Sequence, residues 1–245
     1  MKIIAHRGAS GTHVENTLPA FKQAIIDGAD AIELDVQYHH SGALIVSHDT
    51  YLLFKSDVKH INDLTLDELL SIEFADGSSL TTLEKALSVI KGQCDVNIEV
   101  KSAPLFSVEA PDGLIDEVLT RIEQVICDAI EQHSFQWHQF TLSSFNHTLI
   151  TSSLQRMPAL KLGALSASSP RSYAKFAQDL SAYSINLAID CINPAMIDDA
   201  HRRGLKVWVY TVNNTQDIKW CHALGVDGIF TDFPKQSRAF LDKLR

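Results

Sequence analysis

The sequence predicts a (β/α)8 (TIM) barrel, and two observations carry that prediction. Short β-branched runs alternate with amphipathic stretches along the whole chain, and eight such units fit within its 245 residues. An open doubly wound sheet is the second architecture that the same alternation could build. No Pro-, Ser- or Gly-rich linker interrupts the pattern, so residues 1–245 read as one domain.

The eight expected strands are Ile3 to Ala5, Ala31 to Gln37, Val96 to Val100, Gln139 to Ser143, Lys161 to Leu165, Ser184 to Ala188, Lys206 to Thr211 and Gly228 to Thr231. The first is followed by a helix that Asn16 is expected to cap. Pro19 falls in its first turn, where a missing N–H costs no hydrogen bond. Between the third and fourth strands, Ile115, Val118, Leu119, Ile122, Val125, Ile126, Ala129 and Ile130 recur at helical spacing, a stripe that needs a sheet to cover. Residues 49–81 are longer than an ordinary strand-to-helix connection and read as a small insertion after the second strand, packed over one barrel end.

Composition narrows the partners. With 21 Lys and Arg against 30 Asp and Glu, the chain carries a net charge of −9, leaving no basic excess for nucleic acid or for stable association with an anionic membrane. The four cysteines are far apart and form no CxxC pair, the pattern of reduced thiols. The start "MKIIAH" is too short in apolar residues for a secretory signal, and no run approaches a membrane span. Together these features predict a cytoplasmic protein.

The chemistry concentrates on neighbouring strands. In "AIELDVQ", Glu33 and Asp35 share one face while Ile32, Leu34 and Val36 share the other; "VNIEVK" repeats the arrangement with Asn97, Glu99 and Lys101. Acids pointing into a barrel, near strand C-termini, imply an active site at that end. Three carboxylates there repel one another unless they are compensated, either by Lys and Arg in a structural network or by a hard divalent cation with oxygen ligands, Mg²⁺ or Ca²⁺. His6 and Arg7 follow the first strand and His48 follows the run "LIVSHD", so two histidines flank the acids. The other histidines have no visible partner and read as solvated or structural.

The ordered motifs "AHRGASGTHVENTLPAF", "GADAIELDVQ", "HD", "NIEVK", "LSSF", "YTVNN" and "GVDGIFTDFP" resemble the glycerophosphodiester phosphodiesterase family of phospholipase-C-like barrels over nearly the whole chain. The resemblance implies a metal-dependent hydrolysis of a small-molecule glycerophosphodiester to sn-glycerol 3-phosphate and an alcohol. It assigns Glu33, Asp35 and Glu99 to the divalent cation and His6 and His48 to an acid/base pair. Arg7 and Lys101 would hold the phosphate, with Glu15 and Asn16 bracing the first loop. Three acids, one divalent ion and two cationic side chains sum to a single positive charge, so the site would attract its anion only when metallated. The aromatic residue often found before "TVN" is here Tyr210, with Trp208 two residues earlier; ring stacking on the substrate is expected from either. Either histidine could serve as base, and the nucleophile could be water, a neighbouring hydroxyl or a histidine nitrogen.

Three departures stand out. Val14 and Thr81 replace prolines usual in the family, and Phe54, Lys55 and Ser56 stand where it often carries Arg-Thr-Thr. Phe54 is therefore expected either to offer apolar contact at the mouth or to pack within the insertion. Two other functions fit the same barrel: a lysophospholipase D, for which the run Tyr51 to Phe54 is the one candidate acyl groove, and a catalytically silent barrel that binds phosphorylated ligands. The presence of both histidines beside the acids argues against the silent barrel.

Overall fold

Period-two alternation becomes a closed sheet in the computed structural model of the protein, which describes residues 1–101 and 113–244. Strands β1 (Lys2–Ala5) and β2 (Ala31–Tyr38) are followed by four short strands of a connecting segment, β3 (Leu44–Val46), β4 (Tyr51–Phe54), β5 (Asp57–His60) and β6 (Thr81–Thr82). Then come β7 (Asp95–Val100), β8 (Phe140–Ser144), β9 (Lys161–Ser166), β10 (Ser184–Ala188), β11 (Lys206–Tyr210) and β12 (Gly228–Thr231). Neighbours run in the order β1-β12-β11-β10-β9-β8-β7-β2, and the β1–β2 pairing Ile4↔Ala31 closes the ring. The protein is a (β/α)8 barrel, not an open sheet. The strand limits match the sequence expectation to within a residue or two; Gln139 instead ends a 3₁₀ turn.

The helices are α1 (Leu18–Ile26), α2 (Leu66–Leu70), α3 (Leu83–Ile90), α4 (Leu114–Gln132), α5 (His147–Arg156), α6 (Lys175–Asp179), α7 (Pro194–Arg202), α8 (Thr215–Ala223) and α9 (Pro234–Leu241). The outward residues Ile32, Leu34 and Val36 of β2 and Val96, Ile98 and Val100 of β7 pack in one cluster with the α4 stripe. Ile185 and Leu187 of β10 and Val207 and Val209 of β11 do the same with Met196, Ile197 and Ala200 of α7. Each fully buried aliphatic side chain contributes about 1.5–3 kcal/mol, so this shell between sheet and helices dominates stability. No helix among the described residues is long and apolar enough to cross a membrane.

Inside the ring, Ile4, Ala31, Trp208 and Phe230 form an apolar plug. Trp208 lies opposite Gly228 in register, and a Cβ on Gly228 would sit 2.9 Å from the indole, so only glycine admits the ring there. Asn97, Thr141, Ser143, Ser184 and Asn186 are further buried polar residues of the strands, and of these Asn97 lines the cavity at the C-terminal end of the barrel.

Two local expectations change. Asn16 does not cap α1: Thr17 does, its Oγ accepting from the Ala20 N–H at 3.4 Å. Asn16 is instead buried with φ 58° and turned toward β2. Residues 49–81 are more regular than expected. They hold the β4–β5 hairpin and α2 around a small core of Ile45, Ile61, Leu64, Leu69 and Leu80, and β3 pairs antiparallel with both β2 and β6.

Candidate active site

His6 and Arg7 follow β1 directly, and the chain turns there through left-handed backbone at Arg7 (φ 55°) and Gly8 (φ 80°). A Cβ on Gly8 would lie 2.8 Å from Ala20, so the turn can press against α1 only with glycine at this position. The turn aims the Arg7 N–H at Glu33, whose Oε2 accepts it at 2.8 Å. On the sheet, the register Glu33↔Asn97 and Asp35↔Glu99 brings the acids of adjacent strands side by side. One oxygen each from Glu33, Asp35 and Glu99 lies within 4.8 Å of the others.

Cations and amides surround this cluster. Arg7 donates from Nη1 to both Glu15 oxygens at 2.9 Å, and its Nε lies 3.2 Å from Asp35 Oδ2. Lys101 donates to Glu99 Oε1 at 2.8 Å and approaches Asp35 Oδ1 at 3.4 Å. Asn16 donates from Nδ2 to Asp35 Oδ2 at 2.9 Å and accepts the Asp35 N–H at 3.2 Å, a two-point clasp on the most enclosed acid. Burial, then the charges of Asp35 and Glu99, push the Glu33 carboxyl well above the usual carboxylate range. Burial and Asp35 likewise raise Glu99, against the pull of Lys101. Burial disfavours the Lys101 ammonium, but Glu99 and Asp35 outweigh it and raise its pKa.

The donor set fits a hard divalent cation. All three groups are carboxylates, and one orphaned oxygen, Glu33 Oε1, is buried with no hydrogen-bond partner among the described residues. Lys101 and Arg7 supply part of the compensation, so the ion-pair network weighed from sequence is present in the same cluster whose carboxylates could hold a cation.

His6 lines the same cavity, its Nδ1 2.7 Å from Asp232 Oδ1. Asp232 also accepts from Ser10 Oγ at 3.0 Å and Asn213 Nδ2 at 2.6 Å, while its own N–H donates to Asn213 Oδ1 at 2.9 Å. Burial would raise this carboxyl, but the bonds from His6, Asn213 and Ser10 more than offset it and hold the pKa low. An ionised Asp232 can only accept, so Nδ1 of His6 carries its hydrogen and Nε2 is left as the second ring nitrogen. His48 also lines the cavity, its Nδ1 2.8 Å from Asp49 Oδ1. Asp232, the residue that sequence reasoning passed over, lies inside the quoted "GIFTDFP" run; an acid just past a strand end, level with His6, was the available signal.

The cavity, about 200 Å³, is lined by His6, Arg7, Glu33, His48, Asn97, Glu99 and Lys101 on its charged side and by aromatic and aliphatic residues, Tyr210 among them, on the other. Asp35 lies just beneath, 1% exposed. Trp208 is not brought to it. Register puts Trp208 in the apolar plug, a full layer below Tyr210, because one strand step of two residues is about 6.6 Å. Phe54 is likewise absent from the cavity and packs against the core of residues 49–81. The run Tyr51 to Phe54 forms no groove: Leu52 and Phe54 turn to that core, and Tyr51 and Leu53 face outward.

Comparison with known proteins agrees with this geometry. The model of the glycerophosphoryl diester phosphodiesterase family matches residues 6–236. A glycerophosphodiester phosphodiesterase of Caldanaerobacter subterraneus subsp. tengcongensis is 33% identical over 243 residues, covering 95% of this chain and 94% of its own. One from Bacillus altitudinis is 31% identical, covering 100% and 99%. Among solved structures, an Oleispira antarctica phosphodiesterase in complex with the product sn-glycerol-3-phosphate superposes with a TM-score of 0.84 at 24% identity, covering 99% of this chain and 97% of that one. A glycerophosphodiester phosphodiesterase from Parabacteroides distasonis gives 0.82 at 23%, covering 100% and 98%. The chain thus belongs to the glycerophosphoryl diester phosphodiesterase family and is an enzyme of that class.

Proposed function

We propose that the protein hydrolyses glycerophosphodiesters to sn-glycerol 3-phosphate and an alcohol, with a divalent cation held by Glu33, Asp35 and Glu99 and with His6 and His48 as the acid/base pair. The observation that carries this reading is the convergence of two histidines, the acidic cluster, Arg7 and Lys101 on one cavity. The Oleispira relative, solved with sn-glycerol-3-phosphate, supports the product. When bound, the cation, Mg²⁺ or Ca²⁺, would neutralise the acids and polarise a phosphoryl oxygen.

The side chains divide the rest of the work. Lys101 and Arg7 line the cavity beside the acids and offer the cationic groups that an anionic diester needs; Glu15, by holding both oxygens on one Arg7 nitrogen, fixes the direction of the guanidinium. His6, with Nδ1–H committed to Asp232, can take a proton at Nε2, and His48 is similarly committed to Asp49. A neutral ring deprotonates the attacking oxygen, and a protonated one delivers a proton to the departing alkoxide; each transfer supplies about 10²- to 10⁴-fold in rate. We further read residues 1–245 as one domain with 49–81 an insertion in it. The four free cysteines and the net charge of −9 support a cytoplasmic setting.

Hydrolysis of glycerophosphocholine, followed before and after exhaustive chelation and after adding back Mg²⁺ or Ca²⁺, tests the reading. Turnover should vanish with chelation and return with one of the ions. Turnover that survives chelation would overturn the cation's role.

A further inference from the structure

Opposite its charged wall, the cavity has a wall of different chemistry. Phe145 follows β8, Tyr210 ends β11, Phe230 lies on β12, and Leu165 lies on β9. The rings of Phe145 and Tyr210 stand 6.2 Å apart at 87°, and those of Tyr210 and Phe230 stand 6.4 Å apart at 79°. Rings that meet at right angles turn two π faces into one corner, and each face is the negative pole of its ring. The Tyr210 hydroxyl is engaged, donating to the Ser166 carbonyl at 3.0 Å. Phe145 is 43% exposed, a large ring left at the rim for a ligand to cover. One carboxylate stands on the same side of the barrel. Asp190 is exposed in the turn after β10, two residues past Ala188, which pairs with Tyr210 in register.

Apart from Thr211, this wall offers the ligand no free polar side chain among the described residues. It therefore suits poorly the hydroxyl-rich glycerol half of a diester, and poorly a primary ammonium, whose three donors need acceptors. It suits a group that is bulky, sheathed in methyls, positively charged and unable to donate. We propose that the Phe145–Tyr210 corner is the subsite for the departing alcohol and is built for a quaternary ammonium, so that choline diesters of glycerol phosphate are the preferred substrate class. This rests on the hydrolysis proposed above, with the phosphate against Arg7 and Lys101 and the alcohol turned to the opposite wall. Asp190, just past the strand that pairs with Tyr210, adds long-range attraction for the cation.

The test compares kcat/KM of the full chain on glycerophosphocholine, on its uncharged carbon isostere with a 3,3-dimethylbutyl alcohol, on glycerophosphoethanolamine and on glycerophosphoglycerol. Charge recognition by the rings predicts glycerophosphocholine above the isostere by about tenfold. In Phe145→Leu, which keeps apolar bulk and removes a π face, that ratio should fall to within about twofold, and in Asp190→Asn it should fall part of the way. Tyr210→Phe keeps the face and should keep the ratio. An isostere cleaved as fast as glycerophosphocholine would overturn the proposal, as would a ratio that survives in a folded Phe145→Leu enzyme. Should Phe145→Leu fail to fold, an unchanged ratio in Asp190→Asn would overturn it instead. Equal turnover of all four diesters removes the corner alone, whereas no turnover of any, with metal supplied, removes the hydrolase reading beneath it.

Discussion

His6 and His48 face one cavity from mounts of unlike stiffness. His6 stands one residue past a barrel strand, and its partner Asp232 is held in turn by Ser10 and Asn213 from separate parts of the ring. His48 stands between β3 and β4, and its partner Asp49 has a side chain 71% exposed. A bond inside a hydrogen-bonded network orients a ring in low dielectric, whereas an exposed pair competes with water and is screened by salt. The difference teaches that two residues with the same chemistry can be positioned by different means, one by the barrel and the other by a connecting segment.

The largest expected effect tests what the mounts share. His6→Ala and His48→Ala should each lower kcat by about 10²- to 10⁴-fold, with circular dichroism unchanged, if both rings move protons. Near-normal turnover in either variant would remove that histidine from the pair.

The next effect separates them. Asp232→Asn should lower kcat by about ten- to a hundredfold, the usual scale for a group that orients a functional histidine. Asp49→Asn should cost less than about threefold. Equal losses in the two variants would show that exposure does not weaken the second mount.

The same contrast extends to packing. Phe54 belongs to the small core of residues 49–81 and not to the cavity, so Phe54→Ala should cost about 1–3 kcal/mol of stability, less than a fully buried Phe, and leave the ranking of substrates unchanged. Urea unfolding beside kcat/KM on two diesters checks both halves. A changed ranking would put that segment back at the mouth.

The smallest effect concerns His39, which is buried with Nε2 3.0 Å from the Leu64 carbonyl and Nδ1 2.7 Å from Ser41 Oγ. Burial, against the help of the Leu64 carbonyl and with some repulsion from His40, lowers its pKa. The folded protein therefore binds this proton less readily than the unfolded chain. Its contribution to stability is complete above the unfolded value of about 6.5 and is lost as pH falls toward the lower folded value. Between pH 7.5 and 5.5 the wild type should lose more of its melting temperature than His39→Asn does. An equal loss would show that His39 is not the titrating group.

Much of this site was legible because strands impose period two on a sequence. Once "AIELDVQ" and "VNIEVK" are strands, Glu33 and Asp35 must share a face, and Glu99 and Lys101 must share another. What escaped depended on distance along the chain. Asp232 lies 226 residues from His6, and nothing local announces that they meet. Asn16, in a position that resembles a helix cap, is drawn instead to Asp35, because burying a carboxylate demands hydrogen bonds more strongly than a helix end demands a particular cap. Trp208 and Tyr210 are alike in sequence, same strand and same face, yet only the second reaches the cavity.

The amino-acid sequence by itself determined the number and order of the barrel strands, which faces carry acids, and which residue types are available for acid/base and cation chemistry. These follow from local geometry and composition. The tertiary structure alone decided depth and partnership: how far up the barrel each inward residue sits, which acid each histidine meets, and that Phe54 is packed away while Phe145 stands at the rim. Those outcomes depend on strand stagger around a closed ring, where one pairing step moves a side chain by several ångströms, and no local pattern encodes that sum.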